Sequence, residues 1–170
     1  MITKEYIQAA YDRVLAEVSQ IIPLQQWKHA PTGLGFTEEK TKYGWATHEG
    51  KVLINTIFIG TTATTKLDFV IRHEFSHLAI GLNNHHNRLF RRIEARFGVN
   101  IHQDLSEELA QIQSKIEFKY TVLAHLKNGE IHDFGGVHRK TKRYTHYPKN
   151  TGANLSIGGV RILRFEFKEN

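Results

Sequence analysis

The hydrophobic period of this chain changes once along its length. Up to about residue 117 apolar side chains recur every three to four positions, and after it they alternate every second position. One regular architecture cannot satisfy both periods. We therefore expect an α+β fold, with a helical body carrying a small antiparallel sheet over residues 1–117 and a small antiparallel β-rich appendage over 118–170. A length of 170 residues fits one domain plus such an appendage and is enough to bury a core. The chain has no cysteine, which excludes disulfides, thiolate metal sites and a cysteine nucleophile. It also lacks the apolar run of a signal peptide or a membrane span, so the expected location is cytoplasmic.

Within the body, residues 3–22 read as an amphipathic helix. Thr3 is its N-cap, Tyr6, Ile7, Ala10, Val14, Val18, Ile21 and Ile22 form its apolar face, and Pro23 closes it. Strands are expected at Leu34–Thr37, Tyr43–His48 and Lys51–Asn55, paired antiparallel around a turn at Glu49-Gly50. A helix should begin between residues 62 and 66, where Thr65 and Asp68 have capping-box spacing, and run to Leu82. A second should cover 86–97, with Leu89, Phe90, Ile93 and Phe97 on one face and Gly98 as its stop. A third, capped by Asp104 and Glu107, should reach about residue 115. In the appendage, strands flank the hairpin turn Asn128-Gly129, residues 135–159 read as loop, and Val160–Phe167 is the last strand.

The chemistry is concentrated at His73-Glu74-Phe75-Ser76-His77, two histidines four residues apart with a glutamate after the first. On a helix such histidines lie about 40° apart and one turn along, so both imidazoles can reach one tetrahedral metal. Glu74 is close enough to take a proton from a metal-bound water. Leu67, Ile71, Phe75, Leu78 and Leu82 form a stripe that points well away from both histidines, so the helix can be buried on one side and still aim them at a cleft. A catalytic metal needs a third protein ligand, and His85 and His86 both follow within reach.

This pattern resembles the SprT-like metalloproteases, which include bacterial SprT and the eukaryotic protease Spartan. Their motif helix is followed by a helix that begins with histidine, glycine, two further residues and phenylalanine. The corresponding stretch here is His86-Asn87-Arg88-Leu89-Phe90, with Asn87 where the family usually has glycine. The strands with Gly44-Trp45-Ala46 and Val52-Leu53-Ile54-Asn55, the Leu67–Ile71 approach to the motif and the N-terminal helix are similar too, so the resemblance covers residues 1–98. It implies a zincin-like body, a Zn2+ ion held by His73, His77 and His86, Glu74 as catalytic base, and proteolysis of DNA-bound or DNA-crosslinked proteins. Family members often end in a zinc ribbon with two cysteine pairs. The cysteine-free appendage looks like such a ribbon without its metal, in which Phe118, Tyr120, Phe165 and Phe167 would replace the zinc. A metal on His125, His132, His138 and His146 is the alternative, and four irregularly spaced imidazoles make a poor structural site.

Charge is segregated as well. Residues 1–117 hold equal numbers of acidic and basic side chains, so residues 118–170 carry the whole formal charge of +6. Arg139, Lys140, Lys142 and Arg143, interleaved with Tyr144 and Tyr147, suit the phosphates and unpaired bases of DNA. The expectation is thus a zinc endopeptidase with protein substrates and a DNA partner, cytoplasmic and associated with the nucleoid. The alternative is a nucleic-acid-binding module with a structural or vestigial metal site, and a further one is a peptidase whose basic tail grips acidic proteins. An intact Glu74 favours the enzyme, because a structural site has no use for a general base.

Overall fold

The computed structural model describes residues 1–149 and 154–170, and the chain divides into two compact units, Met1–Lys115 and Ile116–Asn170. The fold is α+β. No helix among the described residues is long and apolar enough to cross a membrane.

The first unit begins with helix α1 (Lys4–Ile21), where the Thr3 hydroxyl accepts from the Tyr6 amide at 3.2 Å. Its buried stripe is Ile7, Ala10, Tyr11, Val14 and Val18, while Tyr6 and Ile21 are exposed, so the face lies one position round from the expected one. Three strands follow: β1 (Gly33–Thr37), β2 (Gly44–Ala46) and β3 (Lys51–Asn55), in the order β1-β3-β2. The β2–β3 pair is antiparallel as expected, but β1 runs parallel to β3. Alternation reports which face a residue takes and not the direction of its strand. The segment 38–50 is long enough to carry the chain across to the far edge and back, which a parallel pair requires.

Helix α2 (Thr64–Ile80) crosses this sheet and buries Leu67, Ile71, Phe75 and Leu78 against α1, with Trp27, Phe58 and Phe97 completing the core. The Thr65–Asp68 capping box does not form. The helix starts at Thr64, which puts Thr65 inside its first turn, and Asp68 instead accepts two bonds from Arg13 on α1, at 2.6 and 2.7 Å. The free amides of that turn donate to the Glu108 carboxylate, Thr65 at 3.3 Å and Lys66 at 2.6 Å. Glu108 lies on α4 (Ser106–Gln113), which follows α3 (Arg88–Arg96). Helix α3 ends at Gly98, whose φ of 91° would strain any other residue.

The second unit is an antiparallel sheet in the order β5-β4-β7-β6, formed by β4 (Tyr120–Leu126), β5 (Ile131–Val137), β6 (Ser156–Ile157) and β7 (Val160–Glu169). The β4–β5 hairpin turns at Asn128-Gly129, where Gly129 has φ 89°. The segment read as loop contains β6 and one helical turn, α5 (Lys142–Thr145). Within that segment Pro148-Lys149-Asn150-Thr151-Gly152 also reads as a turn from sequence, and it falls largely outside the described residues. The centre of this unit is aliphatic, built from Ala124, Leu126 and Ile162. Of the four aromatics expected there, Phe165 packs against it, ringed by Phe134, Tyr144 and Tyr147 at 4.8–5.4 Å, and Tyr120 and Phe167 pair at 6.1 Å. Phe118 instead meets His138, at 5.0 Å.

Candidate metal centre

Helix α2 faces two ways. Its apolar stripe fills the core, and the opposite side carries His73 and His77, whose rings lie 4.9 Å apart. At its C-terminus Gly81 takes φ 99°, and the Asn84 side chain donates to the Ile80 carbonyl at 2.6 Å. The chain then turns back into α3. Asn87 caps that helix, its side-chain oxygen accepting from the Phe90 amide at 2.9 Å. Its φ of −75° makes no demand for glycine, so asparagine at this position satisfies an amide that glycine would leave open.

This reversal brings His86 to α2. Its Nε2 lies 3.1 Å from His73 Nε2, and ligand atoms of His73, His77 and His86 all lie within 4.8 Å of one another. No other set of histidine and carboxylate side chains among the described residues converges in this way. His85, the other candidate third ligand, lies outside the group. The donor set suits a metal: nitrogens bonded to a tetrahedral ion at 2.0–2.1 Å stand about 3.3 Å apart, close to the His73–His86 separation. His77 fits the same role. Burial, with His73 and His86 alongside, pushes its pKa down to about 4, so the ring is neutral and ready to ligate. Its Nδ1 is buried with no partner among the described residues.

Two residues outside the histidine motif complete the centre. Phe90 is fully buried and sets its ring 4.4–4.9 Å from all three imidazoles, forming a floor. Glu94, one turn further along α3, accepts from His73 Nδ1 at 2.6 Å. That bond fixes the tautomer of His73 and leaves its Nε2 lone pair facing the cluster. Burial works to raise Glu94, but the His73 bond and the surrounding imidazoles outweigh it and hold the group below the ordinary carboxylate value. One signal was readable: Glu94 is the only acid in a helix with four arginines, and it falls four residues after Phe90, on the same face.

Glu74 is 5% exposed, and burial pushes its pKa up to about 7 against the pull of His73, the Ala46 main-chain amide and Lys42. Ala46 belongs to β2, an edge strand of the sheet. Asn55 donates to the Tyr43 carbonyl and Thr47 to the Lys51 carbonyl, both at 2.8 Å, so Tyr43, Trp45 and Thr47 turn their main-chain groups toward β3. Gly44 and Ala46 then turn theirs to the open edge. The strand lies close against α2: a Cβ on Gly44 would stand 2.9 Å from Val70 Cγ1 and 3.0 Å from the Leu53 carbonyl oxygen. Between β2, α2 and the segment after α3 runs a cleft of about 760 Å³, lined by His73, Glu74, His77, His86 and Glu94 among others.

Arg139, Lys140, Lys142 and Arg143 belong to the second unit. All four are exposed, and none is in an ion pair among the described residues. Lys140 sits over the Tyr120 and Phe167 rings at 5.2 and 5.9 Å, and Arg143 over Tyr144 at 5.7 Å. The four histidines of that unit do not converge: His125 meets Glu166 at 2.6 Å, His132 lies against Phe134, His138 against Phe118, and His146 Nδ1 lies 3.5 Å from the Thr145 hydroxyl. Compared with protein-family models, with curated proteins and with solved structures, the chain finds no match.

Proposed function

We propose that this chain is a zinc-dependent endopeptidase of SprT-like type that acts on proteins associated with, or crosslinked to, DNA. The observation that carries the reading is the convergence of His73, His77 and His86 in the cleft that also holds the buried carboxylate of Glu74. His73, His77 and His86 would hold a zinc ion there, which would supply a Lewis acid to polarise a carbonyl and lower the pKa of a water toward neutral. Glu74 then accepts the proton of the attacking water on its carboxylate and passes it to the departing amide nitrogen. Glu94 keeps the His73 ring in one tautomer throughout. The open edge of β2 supports a peptide substrate over a smaller ester or amide. An extended chain can pair with the outward main-chain groups of Gly44 and with the Ala46 carbonyl, which sets its backbone beside Glu74. The DNA part of the reading is supported by the basic, aromatic-backed surface around Arg139, Lys140, Lys142 and Arg143.

The test is digestion of a histone by zinc-loaded protein, with and without single-stranded DNA, beside a Glu74→Gln variant and with metal measured by elemental analysis. Cleavage by the parent, lost in a variant that still holds one metal per chain, is the expected result. A zinc-loaded parent that cleaves nothing overturns the peptidase reading.

A further inference from the structure

Composition makes the first unit close to neutral, but its charge is not evenly spread. Helix α3 carries Arg88, Arg91, Arg92 and Arg96 in nine residues. At 100° per residue these four fall within an arc of about 140°, opposite Phe90, Ile93 and Phe97. The apolar side is buried and all four arginines are exposed. None is in an ion pair among the described residues. Among the described residues, their only polar side-chain contacts are long ones to main-chain oxygens, Arg91 to His86 at 3.4 Å and Arg96 to Ile21 at 3.5 Å. The one acid of the helix, Glu94, is turned inward onto His73. The result is a row of unneutralised guanidinium groups about 12 Å long, on the helix that opens immediately after His86.

We infer that this arginine face binds the phosphate backbone of nucleic acid. A duplex strand presents one phosphate per about 3.4 Å of axis, so several fall within the length of the row. The planar fork of guanidinium matches phosphate oxygens two at a time. The inner side of the same helix carries Phe90 and Glu94 against the histidines, so a strand held on the arginine face lies one helix away from the metal centre. The inference rests on the DNA part of the proposed function and adds to it a contact surface in the same unit as the metal centre.

Fluorescence anisotropy with a labelled oligo-dT, on the full chain over a range of salt, tests it. The comparison is between the parent, an Arg88→Gln/Arg91→Gln/Arg92→Gln variant, and the same three positions changed to Lys. Glutamine and arginine have similar helix propensity, so α3 should persist, and metal content and melting temperature check that it does. Losing three contacts should flatten the log–log salt dependence by about 2, at roughly 0.7 per contact on a single strand, and the Lys variant should keep most of the slope. A parent that binds with a slope unchanged in the Gln variant overturns the α3 surface alone. A parent that binds no oligonucleotide even at low salt overturns the DNA half of the proposed function. Slope loss toward polyglutamate but not toward the oligonucleotide moves the partner to acidic proteins and overturns the inference.

Discussion

Single residues divide the work of the metal centre in ways that substitution can separate. His86→Ala should remove the third ligand and with it stoichiometric zinc, whereas His85→Ala should leave zinc content at the parental level, as read by elemental analysis. Glu94→Gln keeps the shape of the side chain but weakens its hold on His73 Nδ1, and loss of such an orienting partner lowers metal affinity by about 10–100-fold. Competition with a chromophoric chelator would measure that drop. Glu74→Gln should hold zinc normally and lose about 10²–10⁴ in hydrolytic rate, because a carboxamide cannot take the proton. Gly44 acts by size alone. An added methyl would press on Val70 and on the Leu53 carbonyl, push β2 off α2 and move the Ala46 amide from Glu74, so Gly44→Ala should slow turnover while zinc content stays constant.

At the scale of elements, the helix ends are where stability can be predicted. Asn87→Ala should lower it by about 1 kcal/mol and Asn87→Gly by only a few tenths, measured by denaturant melts, because glycine is itself a tolerated cap. Pairing of α1 with α2 should be acid-sensitive. Burial works to raise Glu17, but the guanidinium groups of Arg72 on α2 and of Arg13 on α1, the latter also bonded to Asp68, hold its pKa below the ordinary value. A group with a depressed folded pKa contributes stability above its unfolded value, about 4.3 for Glu, and loses it as pH falls through the folded value. Melting temperature should therefore fall below about pH 4, and less steeply in Glu17→Gln. The same helix ends explain what was legible in the sequence. The cap at Thr3, the stop at Gly98 and the aim of His73 and His77 depend on neighbours a few residues away, and they stand as expected. The cap of α2 comes from Glu108, the partner of His73 comes from the next helix, and the parallel course of β1 depends on the path of a long connection. Local pattern can mark Glu94 as the one acid on the inner face of α3, but it encodes none of these long-range pairings.

For the molecule as a whole, the basic side chains around α5 and the histidine cluster belong to different compact units. Changing Arg139, Lys140, Lys142 and Arg143 to Ala should lower affinity for unrelated oligonucleotides alike, since phosphate contacts carry no base information, and leave zinc content unchanged. Anisotropy titrations on several sequences, beside elemental analysis, check both halves. This separate housing of net charge and reactive groups has a kinetic consequence. Under the proposed function, a protein lodged on the same DNA should meet the cleft at an effective concentration set by the tether rather than by bulk diffusion. Added salt then acts as dilution would. It lowers how often the cleft is occupied and leaves the first-order rate of an occupied cleft as it was, so activity lost to salt should return when substrate is raised to saturation.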